Sequence, residues 1–475
     1  MIRTASYVLL VLNLFLIIWV LKSRTELILR PTFQLSVIYL LSVSLGGTYY
    51  LQDQKTYSGH EWKYLFVFSL FPTISLLFSV LLYKNLTRRY FLENVRTCIP
   101  IKSNIIGPTI STGLLLILVA IYSSAYSLSN TGLYSMIFEP EKLELARAQS
   151  STLLESDLAR YSLTLIEKVV GPIVASFWTL DLIVSVKSKH RLRAVRGLLG
   201  ISMALLSSSL SGARSPGLLI VLTVIFTSTL FLWNDLNLKK ITGILLVFLF
   251  LSPIATILSF RDFSPKNILC QTVNIIDRAV YRGSIDNFWY LEYQKENGYV
   301  GIASIPKVAA ILGQDSININ NEVAKANLSG MRGMPKTPFN RIGNICAQKF
   351  DRVESVPTYS EAPPIDSESP REDREIVREN YVSANATFVT NLITSFGLIG
   401  IFLTVISLLI LDSIFIFMAK MNRVNSIVGV CCYTVPTITL VFSQINTGFL
   451  SNGMLLIPLI LYFIDKMNFH KKASQ

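Results

Sequence analysis

Phe388-Val-Thr-Asn-Leu-Ile-Thr-Ser-Phe-Gly-Leu-Ile-Gly-Ile-Phe-Leu-Thr-Val-Ile-Ser-Leu-Leu-Ile-Leu-Asp-Ser-Ile-Phe-Ile-Phe-Met418 is the stretch whose chemistry decides the fold. A helix rises about 1.5 Å per residue, so about 20 apolar residues cross a hydrocarbon core of about 30 Å. This run is longer than that, which predicts a span that tilts or that begins as a re-entrant segment outside the membrane. Comparable apolar runs lie at Ala5–Leu21, Thr32–Leu51, Tyr64–Tyr83, Asn104–Tyr126, Leu163–Val186, Gly197–Leu210, Gly217–Trp233, Ile241–Phe260, Ile427–Ser443 and Met454–Ile464. They predict an all-α integral membrane protein with about 11 transmembrane helices. Residues 1–260 hold helices 1–8, residues 261–387 form one large outside loop containing helices, and residues 388–475 hold helices 9–11. Met1–Thr4 leads into an apolar run with no small-residue cleavage site after it, as expected of a retained first span rather than a signal peptide.

Composition agrees, because 15% of residues are charged against about 25% in soluble domains. The net charge of +13 falls in short clusters between apolar runs, a distribution that suits cytoplasmic loops beside anionic lipid and not a nucleic-acid surface. With the N-terminus outside, the inner loops carry 20 Lys and Arg and the short outer segments 7, which orients the chain with its C-terminus in the cytoplasm. The five cysteines offer neither a disulfide framework nor zinc spacing; Cys270 and Cys346 share the outside loop and either pair there or stay free. The half of that loop from Asp351 to Glu379 has nine acidic and four basic residues and reads as a solvated arm. No internal repeat is visible, against an inverted-repeat transporter.

Two features invite chemistry. The turn Ser211-Gly-Ala-Arg-Ser-Pro-Gly217 joins two spans at the outer surface, where Ser215 can cap the following helix and Pro216 suits its first position. Arg214 beside free helix amides makes either an anion site suited to phosphate or a snorkelling interfacial side chain. In the large loop, Arg278 and Arg282 stand four apart on one helix face with Asp286 a turn later, forming either an anion site or a surface ion-pair ladder. Phe288, Trp289, Tyr290 and Tyr293 supply an interfacial belt, a core, or a platform for sugar rings. Glu167 and Asp181 lie in the fifth span, where pairing or snorkelling explains them as well as catalysis does. Of the histidines, His60 faces outside and His190 and His470 lie in inner segments. There is no phosphate-binding Walker loop, dinucleotide fingerprint or His-Glu-x-x-His zinc motif. The first inner turn carries only Glu26, so the acidic pair of many lipid-sugar transferases is missing.

In this order the pieces resemble bacterial polysaccharide polymerases of the Wzy type, the O-antigen or oligosaccharide repeat-unit polymerases. The resemblance is carried by Ser211-Gly-Ala-Arg-Ser215, by Arg278-Ala-Val-Tyr-Arg282-Gly283, by Asn380-Tyr381 leading into Asn391 through Phe396-Gly397-Leu-Ile-Gly400, and by Asn446 through Asn452-Gly453. Two departures are an expected eleven spans where twelve or more are usual, and a large loop without histidine. The related O-antigen ligases typically carry a histidine there, so its absence points toward a polymerase; a lipid-linked oligosaccharide flippase is the non-enzymatic alternative.

The resemblance implies a glycosyltransferase needing no metal or cofactor, in the bacterial inner membrane, with one large periplasmic loop. It implies transfer of a chain on undecaprenyl pyrophosphate to an incoming lipid-linked repeat unit, releasing undecaprenyl pyrophosphate. Arg214, Arg278 and Arg282 are then expected to hold the pyrophosphate, and Asp286 or Glu292 to act as base. The expected partners are undecaprenyl-pyrophosphate-linked oligosaccharides, the lipid bilayer, and a chain-length regulator and flippase of the same pathway.

Overall fold

The structure, a computed structural model, describes residues 2–23, 30–51, 61–81, 106–139, 156–212, 214–231, 283–304, 386–441 and 453–473, with single residues and pieces of up to four residues between them. All regular structure among these residues is helical. In chain order the helices are α1 (Ile2–Ser23), α2 (Pro31–Tyr39), α3 (Leu45–Tyr50), α4 (Glu61–Leu65), α5 (Phe71–Leu81), α6 (Ile106–Ala125), α7 (Gly132–Phe138), α8 (Asp157–Leu165) and α9 (Gly171–Lys187). They continue as α10 (Arg191–Ser208), α11 (Arg214–Phe231), α12 (Gly283–Asn297), α13 (Phe388–Phe396), α14 (Leu398–Ala419), α15 (Arg423–Cys432), α16 (Thr434–Leu440) and α17 (Leu456–Ala473).

Among the described residues, five helices are long and apolar enough to cross a membrane: Thr4–Lys22, Trp62–Leu81, Ile106–Ala125, Asp157–Lys187 and Leu398–Ala419. They match the first, third, fourth, fifth and ninth expected spans. Pro216–Phe231 and Val424–Thr437 are shorter apolar helices, at the seventh and tenth. The second expected span is α2 and α3, and the sixth is α10. Ile241–Phe260, the eighth, lies outside the described residues. The last helix is longer than expected: α17 runs on past Ile464 to Ala473, through a segment read as an inner tail.

Lipid is the solvent these surfaces suit. Val11 on α1 is 65% exposed and Phe402 on α14 70%, among rows of other bare apolar side chains. Such faces in water would be aggregation sites. Small residues let the helices close on one another, as where α9 and α10 pack antiparallel: a Cβ on Gly200 would lie 2.3 Å from the Trp178 ring.

Three π turns occur among the described residues, at Leu40–Ser44 between α2 and α3, at Phe66–Leu70 between α4 and α5, and at Ile166–Val170 between α8 and α9. Each inserts a residue without ending its helix and re-aims the side chains beyond it. The long apolar run at Phe388 has a sharper break. Gly397 stands at φ +60°, ψ −127°, a conformation open to glycine and strained for other residues, so α13 and α14 form a hairpin rather than one tilted helix.

Candidate functional site

The Ser211 turn is seated on three other elements. Ser211 Oγ donates to Glu167 Oε1 at 2.5 Å, Ser150 Oγ donates to the Ser211 carbonyl at 3.4 Å, and the Tyr122 hydroxyl donates to the Ser150 carbonyl at 3.1 Å. Glu167 is 9% exposed and sits in the π turn that precedes α9. Gly212 (φ +71°) and Gly132 face each other backbone to backbone: a Cβ on Gly132 would lie 2.0 Å from the Ser211 carbonyl oxygen. Leu133 N–H, at the start of α7, donates to Leu210 O at 3.1 Å. The turn is therefore held from below by a carboxylate and from the side by a close backbone contact. Its following helix starts at Arg214, so Ser215 and Pro216 lie inside the first turn of α11 instead of at the cap and first position. Pro216 still fits, because first-turn amides have no helical partner.

A second cluster forms around α12, which folds onto the Leu40–Ser44 π turn, α3 and α4. Ser284, Ile285, Asp286, Asn287, Phe288, Trp289, Tyr290 and Leu291 are all buried. The aromatic residues Phe288, Trp289 and Tyr290 thus serve as core, with Phe288 against the Tyr64 ring at 5.7 Å between centroids. Burial also removes the surface ladder as a reading of Asp286, which is 8% exposed. Ser284 Oγ donates to Val43 O, inside the first π turn, at 2.7 Å. Farther along, the Tyr64 hydroxyl donates to Glu292 and Lys63 Nζ to Gln294 Oε1. Lys63 is itself buried, with its ammonium 5.0 Å from the Tyr299 ring centroid. Burial and then the Glu322 carboxylate hold the Tyr293 hydroxyl above its ordinary range.

The third element is α13. Thr387 caps it, accepting from Thr390 N–H at 3.2 Å, while Thr387 N–H and Oγ1 both donate to Asn287 Oδ1 at 3.0 Å. One amide on α12 thereby fixes where α13 begins. Phe388 meets Phe71 edge-on at 5.8 Å, and the Tyr39 hydroxyl faces Thr387 and Thr390.

Asp286 and Glu292 therefore share one helix in the α12 cluster, and Arg214 opens the helix after the Ser211 turn. Arg278 and Arg282 lie outside the described residues, and Arg214 is described through its backbone; the convergence of the three guanidinium groups rests on the sequence. The described part of α12 opens at Gly283, the residue after Arg282. Asn446–Asn452, His60, Cys270, Cys346 and the acidic arm from Asp351 also lie outside the described residues. No three His, Cys, Asp or Glu side chains among those described are placed to hold a metal ion.

One feature the sequence reading passed over is a buried ion pair. Arg30, assigned to an inner loop, is 0% exposed; its Nη2 lies 2.8 Å from Asp412 Oδ2 and its Nη1 donates to Ser79 O at 2.7 Å. Thr32 Oγ1 donates to Asp412 Oδ1 at 3.1 Å. The signal was present: a carboxylate inside an apolar run demands a partner. Elsewhere, Arg193 Nε donates to Asp181 Oδ1 at 2.8 Å, so Asp181 has the structural pairing open to it from sequence. Compared with protein-family models, with curated proteins and with solved structures, the chain matches none.

Proposed function

We propose that this helical membrane protein is a polymerase that joins undecaprenyl-pyrophosphate-linked oligosaccharide repeat units at the outer face of the bacterial inner membrane. The observation that carries the reading is the seating of α12: the helix that follows Arg282 and bears Asp286 and Glu292 packs into the bundle against the Leu40–Ser44 π turn, α3, α4 and α13 instead of standing in solvent. A substrate whose pyrophosphate is tethered to a lipid has to be met at that kind of place. The Ser211 turn adds a basic helix start braced by Glu167.

In this reaction the hydroxyl at the non-reducing end of the acceptor attacks the anomeric carbon of the growing chain, and the bond from that carbon to the pyrophosphate oxygen breaks. The leaving group departs as an anion of low basicity, so the main requirement is positive charge at its oxygens. Arg214, Arg278 and Arg282 supply it; guanidinium stays charged and binds phosphate oxygens in a fork. The hydroxyl proton goes to a carboxylate on α12. Asp286 and Glu292 are the two candidates on that helix, and Glu292 also accepts from the Tyr64 hydroxyl.

Orientation follows the charge distribution, with the N-terminus outside and the C-terminus in the cytoplasm. The test is synthesis by purified protein in detergent from lipid-linked repeat units. The expected product is a ladder of longer glycans; Arg282→Ala abolishes it with folding intact, and Arg282→Lys restores part. A full ladder from Arg282→Ala removes Arg282 from the mechanism. Transfer of one preformed chain to a different lipid acceptor makes the protein a ligase-type transferase, and lipid movement across vesicles at unchanged glycan length makes it a flippase.

A further inference from the structure

Between Asp181 and Asp235 the chain carries no acidic residue, while Lys187, Lys189, Arg191, Arg193 and Arg196 crowd the turn that joins α9 to α10. Arg193 is used inside the fold, where it pairs with Asp181. Arg191 and Arg196 are turned outward, and both are exposed. A helix advances about 100° per residue, so these two arginines stand on either side of a strip formed by Leu192, Val195 and Leu199. That strip is bare: Leu192 is 89% exposed, Val195 52% and Leu199 64%. It runs on to Leu206, about 21 Å along the axis from Leu192, which exceeds the depth of one leaflet's hydrocarbon, about 15 Å. The opposite side of α10 is closed against α9, where Gly197 and Gly200 admit Leu182 and Trp178.

Cations alone would be content in water, and bare leucine alone would accept any apolar cover. On α10 the two occur in order along one outward face, with arginine at its start and leucine and valine beyond. The molecule that matches both has an anionic head and an apolar tail long enough to line a leaflet. A soluble phosphate would leave the strip bare, and an acidic peptide would lay its charges against leucine. We propose that the Arg191–Leu199 face of α10 is a binding site for an anionic phospholipid, its phosphate held by Arg191 and Arg196 and an acyl chain laid along Leu192, Val195 and Leu199. Arginine suits the headgroup because its charge is permanent and its fork matches phosphate oxygens. Lys189, exposed in the turn before α10, adds positive charge beside it. The site is independent of the polymerase reading, since the Ser211 turn follows the far end of α10, about 27 Å along the helix.

The experiment uses full-length protein in detergent, titrated with phosphatidylglycerol or with phosphatidylcholine of identical acyl chains, and native mass spectrometry to count bound lipid. Wild type is expected to retain phosphatidylglycerol in preference to phosphatidylcholine. Arg191→Gln with Arg196→Gln is expected to weaken phosphatidylglycerol binding about 30-fold, about fivefold for each arginine beside an anionic headgroup, and to leave phosphatidylcholine unchanged. Lys471→Gln with Lys472→Gln removes the same charge elsewhere and is expected to change little. Leu192→Asn alters no charge and is expected to weaken both lipids, with the unfolding midpoint in lipid-free detergent held at the wild-type value. Equal retention of the two lipids by wild type overturns the site. So does an equal loss in the two double variants, which would mean that net charge alone attracts the lipid. Binding indifferent to Leu192→Asn, or phosphatidylglycerol displaced by an equal concentration of glycerol phosphate, would reveal a soluble-anion surface in its place. Lipid binding that depends on Arg191, Arg196 and Leu192 in a protein that makes no glycan ladder leaves the site standing and overturns polymerisation alone.

Discussion

Asp412 sits in an apolar helix with a side chain 3% exposed, and Arg30 meets it from a different part of the chain with none of its own side chain exposed. Two charges withdrawn from water cost more to separate than they return when paired, since each alone keeps its desolvation penalty. Asp412→Ala is therefore expected to destabilise the protein by about 3–5 kcal/mol, seen as a lowered unfolding midpoint in detergent. The double substitution Arg30→Met, Asp412→Leu is expected to recover most of that loss, because it removes both charges and keeps volume. A double variant as unstable as Asp412→Ala would mean that Arg30 has a second indispensable role. The residue was legible as an ionisable group in a span; its partner was not, because Arg30 and Asp412 are 382 positions apart.

At the level of elements, the break at Gly397 turns one long apolar run into a short buried helix and a membrane-length one. Two constraints act there: a backbone conformation that side chains strain to adopt, and the Tyr299 ring where a Cβ would go. Gly397→Ala is expected to cost about 1–3 kcal/mol from the backbone alone, with the ring contact added to it. Thermal unfolding of Gly397→Ala with and without Tyr299→Ala separates these parts: Tyr299→Ala should relieve the contact and leave the backbone strain. Full rescue would show that the conformation itself costs little. The run's excess length predicted a tilt or a re-entrant start; the chain instead breaks at Gly397 into two helices. Apolar length made the run at Phe388 legible as a span. It could not say that the polar side chains of α13 would be buried, because burial depends on α12, which packs there through Asn287 and Thr387.

Across the whole molecule, the described helices fix relative positions, and the charge pattern supplies direction. The turn at Ser188 joins α9 to α10, while Ser129 lies between α6 and α7; both are exposed. With the basic loops inside, Ser188→Cys is expected to be labelled by an impermeant thiol reagent only in inside-out vesicles, and Ser129→Cys only in right-side-out ones. The reverse pattern would invert the molecule and place the Ser211 turn and α12 on the cytoplasmic side, away from the expected substrate. Labelling of both residues from the same side would contradict an odd number of crossings between them.

The sequence by itself determined that this chain is a helical membrane protein, because apolar length and the sparseness of charge are properties of local segments and need no knowledge of neighbours. It also marked the Ser211 turn, Asp286 and Glu292, since helix starts and carboxylates are local features too. Only the tertiary structure decided what those groups touch: Glu167 under Ser211, Tyr64 on Glu292, Asp286 taken out of solvent, and the polar side of α13 turned inward. Contacts between distant segments arise from packing whole helices against one another, and no window of residues contains that information.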